Sequence, residues 1–212
     1  MSERTGRTAG PGGTARLASR QPPIGPAPGR LELVRAFVNT LDVEAGTDEL
    51  SSPQALLGWL ADRDLTPPPA AGPPRAGSAT DDELRQAMTL REALRDVLQA
   101  HVTRQPPPGG PLGDLRSVAA GLATRLEVGD DGAPRPVPAG DGPAAGLAAL
   151  LLIAAEAASA GTWSRLKVCS ADDCRWAFYD RSPTRSGCWC SMAGCGARAK
   201  SRAYRQRAAA SR

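Results

Sequence analysis

The sequence predicts a mainly α-helical protein, in which a helical N-terminal domain is followed by a small, cysteine-rich C-terminal module. Two observations support this fold class. Between residues 31 and 160, apolar residues recur every three or four positions in several segments, as they do on one face of a helix. All five cysteines of the 212-residue chain lie between Cys169 and Cys195, which indicates a separate structural unit there.

Composition and charge divide the chain into three parts. Residues 1–29 are rich in Gly, Pro, Ser, Thr and Arg, and we expect a disordered basic tail. Residues 30–160 form the predicted helical domain, and the stretch 31–160 carries ten arginines against eighteen acidic residues. Residues 161–212 form the module and carry eleven lysines and arginines against three aspartates. In a chain with a net charge of +4, this asymmetry indicates a basic end that contacts an anionic partner.

The first two helices are predicted from apolar spacing and from capping residues. The segment LELVRAFVNTL, which begins at Leu31, repeats its apolar residues at helical spacing. In the next segment, SSPQALLGWLADRDL, Ser52 is suited to cap a helix and Pro53 to occupy its first position.

A capping box predicts the longest helix. In TDDELRQAMTLREALRDVLQAHV, Thr80 and Glu83 can cap each other's backbone, and the first turn is acidic. The expected apolar side consists of Leu84, Met88, Leu94, Val97, Leu98 and His101 or Val102. We predict a shorter helix at Leu112 to Leu122 and then a hairpin whose turn is Asp131-Gly132.

A long Ala/Leu helix at about Gly142 to Ala160 completes the domain. Its apolar run is interrupted by Glu156, and we expect it to be too short to cross a bilayer. The N-terminus has no apolar signal-peptide core. We therefore expect a cytoplasmic protein without membrane contact, in which cysteines stay reduced and bind metal more often than they form disulfides.

The spacing of the cysteines predicts a structural zinc site. CSADDC and CSMAGC are two C-x4-C pairs, and two such pairs supply the four thiolates of a closed tetrahedral site. An iron–sulfur cluster is the less favoured alternative. The segments KVC and RWAFYD are typical of two short strands that carry the first pair. Trp176, Phe178, Tyr179 and Trp189 are expected to pack beside the ion as a miniature core, because so small a unit needs metal to fold.

Five cysteines for four places leave one over. Pairing symmetry favours Cys190 with Cys195 and leaves Cys188 free, but Cys188 in place of Cys190 stays an alternative. Two disulfides and a free thiol are a further alternative.

The C-terminal motif resembles a known family. WCSMAGCGAR is similar to the signature of the CGNR-type zinc finger, in which a WCSM step leads to Cys-Gly-Asn-Arg, and FYDRS and ARAKSRAYRQR resemble it too. AFVNTLD (Ala36 to Asp42) and the helices after it are similar to the ABATE domain, which is associated with stress-induced transcription regulation.

The resemblance implies a bacterial transcription regulator whose finger binds DNA. By position it implies one structural Zn²⁺ held by Cys169, Cys174, Cys190 and Cys195. Two positions depart from the family pattern: Ala197 replaces the Asn of the signature, and Cys188 replaces a basic residue.

The basic end predicts a nucleic-acid interface. On a helix after Gly196, Arg198, Arg202 and Arg205 would share one face, with Lys200, Tyr204 and Arg207 as a neighbouring stripe. Arg181 and Arg185 would extend the basic surface. Phosphate contacts suit so many cations, so a nucleic acid is the expected partner. DNA is favoured, and RNA ranks below it.

Function is therefore expected to be DNA-binding transcription regulation at the nucleoid, with residues 31–160 as a sensor for a small molecule or protein. A zinc-stabilised interaction adaptor, or a small-molecule-binding domain clamped by the finger, are the alternatives, and a homodimer stays open. An enzyme is not expected, because the single histidine, His101, is placed on the apolar side of a helix.

Overall fold

The structure is a computed structural model that describes residues 25–66 and 79–210. Residues 1–24 of the expected basic tail and residues 67–78 lie outside the described residues. The helices are α1 (Leu31–Val38), α2 (Pro53–Ala61), α3 (Asp81–Thr103), α4 (Gly109–Ala120), α5 (Gly142–Ser159) and α6 (Ala197–Ala210). The strands are β1 (Leu41–Asp42), β2 (Thr47–Asp48), β3 (Thr124–Val128), β4 (Pro134–Pro138), β5 (Leu166–Val168) and β6 (Ala177–Tyr179), which pair as three antiparallel hairpins. The mainly α-helical fold class is confirmed.

The capping residues fix where the predicted helices begin. Ser52 Oγ accepts a hydrogen bond of 3.1 Å from the amide of Ala55, and Pro53 is the first residue of α2. At the start of α3, Thr80 Oγ1 accepts from the Glu83 amide at 3.2 Å, and Glu83 accepts from the Thr80 amide at 2.7 Å. Both capping predictions are confirmed.

Helix α3 forms the centre of the helical domain, and its buried surface is wider than the expected stripe. Leu84 and Met88 are only half-buried, whereas Leu90 is fully buried. The reason is that α3 packs against α1, α2, α4, α5 and β5 and so buries more than one side. Two arginines of α3, Arg91 and Arg95, are also buried.

These two arginines bind charged and backbone groups across the core. Arg91 donates two hydrogen bonds to the Asp48 carboxylate, at 2.7 and 2.9 Å. Arg95, which is fully buried, donates from Nε to Glu92 at 3.0 Å and from Nη2 to the Val38 carbonyl at 2.6 Å. Burial lowers the pKa of Arg95, yet a guanidinium stays charged at neutral pH because its ordinary pKa is so high. The charge is compensated by these acceptors.

Helix α5 is a core helix. It is 18 residues long, and by length and composition alone it could cross a bilayer. The expectation that this segment is too short was therefore wrong. Slightly more than half of it is buried inside the protein, and Leu147, Leu150 and Ile153 belong to the main hydrophobic cluster. Packing against α1 and α2 therefore accounts for its apolar character.

Hairpin β5–β6 joins the helical domain to the cysteine cluster, because its two faces pack on different partners. On one face Leu166, Val168, Ala177 and Tyr179 belong to the main helical core. On the other face Phe178 packs with the cysteines. Tyr179 was therefore expected in the wrong core, since neighbouring residues of a strand point to opposite faces.

The Asn39 side chain fastens this hairpin to the end of α1. Its Nδ2 donates to the Ala177 carbonyl at 2.9 Å, and its Oδ1 accepts from the Ala177 amide at 2.7 Å. Both bonds are buried, so they satisfy the outer edge of β6 as a third strand would.

Candidate metal centre and nucleic-acid interface

Four buried sulfur atoms lie together beside the turn that connects β5 and β6. The Sγ atoms of Cys169, Cys174, Cys190 and Cys195 all lie within 4.8 Å of one another. Two of the separations are 3.6 Å (Cys174 to Cys190) and 3.7 Å (Cys190 to Cys195). A tetrahedral ion with bonds of about 2.3 Å to sulfur requires separations of about 3.8 Å. The four cysteines are thus in a metal-binding arrangement that fits zinc.

The first pair of cysteines is held by a tight turn between β5 and β6. The Cys169 amide donates to the Trp176 carbonyl at 2.9 Å, and the amides of Cys174 and Arg175 both donate to the Ala171 carbonyl, at 2.9 and 3.0 Å. Arg175 adopts a left-handed conformation with φ of 49°. This turn brings both thiols to the same side of the hairpin.

The second pair is held by a π-helical turn, Met192–Gly196, which runs directly into α6. Ser191 Oγ accepts from the Gly194 amide at 3.1 Å, and the Gly196 amide donates to the Ser191 carbonyl at 2.9 Å. A Cβ at Gly196 would lie 3.1 Å from Met192 Sδ and 3.3 Å from Trp189 Cδ1. The close packing of this turn therefore favours glycine after Cys195.

The sulfur atoms are close enough to perturb one another's protonation. The hydrogen bond between Cys169 and Cys174 lowers the pKa of Cys169 and raises the pKa of Cys174. The pKa of Cys190 is also raised, mainly by its contact with Cys169. Without a cation, a thiolate therefore disfavours deprotonation of the neighbouring thiols. A divalent cation among the four sulfurs reverses this effect, because it favours every thiolate.

Cys188 lies outside the four-sulfur cluster. It is half-buried, and its backbone carbonyl accepts a hydrogen bond of 2.9 Å from the Ser170 amide. The structure therefore brings Cys190, and not Cys188, to the other three thiols. All five cysteines are described and all are free, so the two-disulfide alternative is not what the fold contains.

A small aromatic core lies beside the thiols, as expected. Phe178 is buried with the cysteines, and Trp176 and Trp189 pack against this cluster while partly exposed. Tyr179 is absent from this cluster because it faces the helical core.

A buried ion pair organises the loop between the two cysteine pairs. Lys167 Nζ donates to the Asp180 carboxylate at 2.8 Å and to the carbonyls of Arg185 and Gly187, at 2.7 and 3.1 Å. Asp180 also accepts from the amides of Ser182 and Gly187, each at 2.9 Å. Burial would raise the pKa of Asp180, but these hydrogen bonds outweigh it and lower the pKa to about 2. No local sequence pattern predicts this pair.

Arg198 stands where the basic helix leaves the cysteine cluster. Its Nη2 donates to Cys195 Sγ at 3.1 Å, and its Nη1 lies 2.7 Å from the Glu44 carboxylate. Contact with Glu44, and to a lesser degree with Cys195, raises the pKa of Arg198. This expected DNA-contacting residue therefore binds the β1–β2 turn and a thiol of the cluster.

The remaining cations of α6 divide between two sides of the helix. Arg202 lies on the side of Arg198, with Nη1 3.6 Å from an Asp173 oxygen. Lys200 follows Arg198 by two residues and is rotated from it by about 200°, so the expected neighbouring stripe is in fact the opposite side of the helix. Lys200 and Arg205 are exposed and form no ion pair with any other residue that the structure describes. Arg207 is exposed as well.

The two loop arginines of the expected interface are exposed, but they differ in their contacts. Arg181 donates to the Pro26 carbonyl at 2.5 Å and its guanidinium lies 5.6 Å from the centre of the Tyr179 ring. Arg185 adopts a left-handed conformation with φ of 52°. Both lie in the loop that the Lys167–Asp180 pair organises.

His101 has a structural environment, as the sequence indicates. Its Nδ1 lies 2.8 Å from the Leu166 carbonyl, and its ring meets the Trp163 ring edge-on at 5.5 Å between centres. Burial is the main cause of its lowered pKa, which favours the neutral ring.

Comparison with known proteins finds two family models that match separate segments of the chain. Residues 31–162 match the ABATE family model, described as "putative stress-induced transcription regulator". Residues 165–208, which contain the four clustered cysteines and most of α6, match the CGNR zinc finger model. No curated protein matches the chain. The ABATE match covers more than half of the sequence, and the chain therefore belongs to the ABATE family and ends in a CGNR zinc finger.

Proposed function

We propose that this protein is a transcription regulator that binds duplex DNA through α6 and the adjoining zinc finger. The observation that carries the proposal is the nature of α6. This helix contains four arginines and one lysine and no acidic residue, and none of its residues is buried. A helix without buried side chains gains little from packing against the protein. A phosphate backbone would neutralise its charge and release counterions.

The four clustered cysteines are proposed to bind one structural Zn²⁺. Zinc, when bound, would supply most of the folding free energy that so small a unit lacks, and it would hold all four thiols as thiolates. With four protein ligands the site would leave no open coordination position for substrate, which is typical of a structural site. The Cys195 thiolate and Arg198 would then fix the first turn of α6 relative to the helical domain.

Two exposed cations of α6, Lys200 on one side of the helix and Arg205 on the side of Arg198 and Arg202, are proposed to contact phosphates. Arg198 and Arg202 lie near Glu44 and Asp173, so part of their charge is already compensated. Lys200 and Arg205 are the strongest candidates, and Arg207 extends the surface towards the end of the helix. Phosphate contacts position a protein on DNA but carry no direct sequence information.

The helical domain is proposed to act as the sensor or the partner-binding domain. A cleft of about 340 Å³ between α3 and α4 is lined by Glu92, Asp96 and Asp114 among others. Glu92 and Asp96 already form ion pairs with Arg95 and Arg175, so Asp114 is the acidic group of this lining that favours a cationic effector over an anionic one. A thermal-shift screen of such compounds tests this part of the proposal.

The proposal gives the chain no catalytic activity and places it in the cytoplasm, at the nucleoid. His101 supports the absence of catalysis, because its Nδ1 is already engaged by the Leu166 carbonyl.

Salt dependence of DNA affinity tests the proposed function. Fluorescence anisotropy with a labelled duplex of mixed sequence should show log affinity falling with log salt, with a slope of about −3.6 if four phosphates are neutralised. Removing the charges of Lys200 and Arg205 together, as Lys200→Ala with Arg205→Ala, should reduce that slope by about 1.8.

The control is Arg116→Ala, which removes one exposed charge from α4 and should leave DNA affinity unchanged. Affinity that does not depend on salt, or that is the same in the double variant, would contradict DNA binding. Salt-sensitive binding to acidic proteins without binding to DNA would support the adaptor alternative instead.

A further inference from the structure

Hairpin β3–β4 has two chemically different edges. Its strands pair antiparallel, with Leu126 opposite Pro136 and the flanking positions Thr124 and Val128 opposite Pro138 and Pro134. Proline has no amide proton, so these three pairs are of the type that exchanges no hydrogen bonds. Two backbone hydrogen bonds agree with this assignment. The Ala139 amide donates to the Ala123 carbonyl at 3.0 Å, and the Gly129 amide donates to the Ala133 carbonyl at 3.1 Å.

In such pairs the backbone groups of both residues point away from the partner strand. The outer edge of β4 therefore consists of prolines and offers no amide protons. The outer edge of β3 carries the amides and carbonyls of Thr124, Leu126 and Val128, which can accept another strand. The hairpin is open to strand addition on one side and closed on the other.

The open edge also carries exposed apolar side chains. All five residues of β3 lie on the surface, where Leu126 is 72% exposed and Val128 is 73% exposed. The described domain otherwise has a well-filled core. Both side chains project from the same face of the strand, because they are two residues apart. A second strand beside β3 would cover part of this apolar surface.

The sequence of β3 is complementary to itself when two copies run antiparallel. If Leu126 of one copy lies opposite Leu126 of the other, Thr124 lies opposite Val128 and Arg125 lies opposite Glu127, twice each by symmetry. Opposite charges, the two leucines, and the β-branched residues Thr124 and Val128 are then paired across the strands, and such pairs stabilise a sheet. The outward backbone groups of Thr124, Leu126 and Val128 are in register to exchange hydrogen bonds.

We propose that β3 pairs with β3 of a second copy of this chain about a two-fold axis at Leu126. The two hairpins then form one four-stranded sheet, with β4 of each copy as an outer strand. This interface is isologous, since the same surface is used by both copies. It is separate from the zinc finger, so it holds or fails independently of the proposed DNA binding.

Sedimentation of the zinc-loaded full chain, over concentrations from low micromolar to several hundred micromolar, tests the pairing. The wild type should pass from monomer to dimer. Leu126→Pro removes an outward amide but none of the bonds within the hairpin, and it should raise the dissociation constant by about tenfold or more. Bound zinc and the far-ultraviolet circular dichroism spectrum should stay as in the wild type.

A charge exchange provides a second, independent variant. Arg125→Glu places carboxylates opposite each other at both ends of the two-fold and should weaken the dimer, while Glu127 still faces Arg135 within the hairpin. Adding Glu127→Arg and Arg135→Glu to that variant restores opposite charges across both pairs and should restore the dimer. A chain that stays monomeric throughout, or a dimer that none of these substitutions weakens, would overturn the proposal.

Discussion

The Nη1 atom of Arg95 donates a hydrogen bond of 2.8 Å to the backbone carbonyl of Arg175, which is 80 positions away. Arg175 directly follows Cys174, and its left-handed conformation turns that carbonyl towards α3. Because the same guanidinium also binds the Val38 carbonyl, the first cysteine turn is connected to the end of α1 by one buried side chain. The zinc finger and the helical domain thus share a polar anchor as well as a hydrophobic core.

Replacing Arg95 with methionine should destabilise the zinc-loaded protein. The carbonyls of Val38 and Arg175 would stay buried without their donor, and Glu92 would lose a partner. We expect the free energy of unfolding to fall by about 3 kcal/mol in urea titrations. Arg85→Met, on the same helix but mostly exposed, is the control and should have little effect. Equal effects of the two substitutions would show that Arg95 is not an anchor.

Cys174→Ser and Cys188→Ser should separate the metal ligands from the spare cysteine. Cys174 Sγ lies in the four-sulfur cluster, whereas Cys188 lies outside it. Metal analysis of purified protein should find about one zinc per chain in the wild type and in Cys188→Ser, and a large loss in Cys174→Ser. Full zinc content in Cys174→Ser would refute the four-cysteine site.

Lys167 and Asp180 should show strong energetic coupling. Lys167→Met alone leaves the buried Asp180 carboxylate without its cation and should lower the free energy of unfolding by about 3 to 5 kcal/mol. Adding Asp180→Asn removes the uncompensated charge, so the double variant should lose less than the two single variants combined, by about 1 to 3 kcal/mol. Additive losses in the cycle would mean that the ion pair itself contributes nothing.

Arg198→Ala should affect the metal more than Glu44→Ala does. Arg198 donates to Cys195 Sγ, and partners of metal ligands commonly change metal affinity by about 10- to 100-fold. Glu44 is 54% exposed and pairs with Arg198 but is not part of the four-sulfur cluster. Its loss should therefore change zinc affinity by no more than about twofold. Competition with a chromogenic chelator measures both. The idea fails if Arg198→Ala retains zinc as tightly as the wild type.

The features that the sequence predicted well are those with a local pattern. Ser52 with Pro53, and Thr80 with Glu83, act within one helical turn, so their types and spacing identify the helix starts. The two C-x4-C pairs likewise predict which sulfurs converge, because each pair closes a short turn. Asp131-Gly132 predicted hairpin β3–β4 for the same reason.

The features that the sequence did not predict depend on contacts between distant segments. Nothing near Asn39 indicates that its side chain completes the edge of β6, 138 residues later. Arg95 could not be identified as a core residue from the sequence, because burial of an arginine depends on acceptors that only the fold brings together. Tyr179 could have been placed correctly, since the alternation of strand residues puts it opposite to Phe178.

The proline edge of β4 also limits how far strand pairing can extend. Growth of cross-β fibrils requires that each added chain present a fresh edge with both amide and carbonyl groups. A hairpin whose outer strand has Pro134, Pro136 and Pro138 in the outward positions presents no such edge once β3 is covered. Association by this route therefore stops at a closed pair, and the chain can expose Leu126 and Val128 without acting as a template for aggregation.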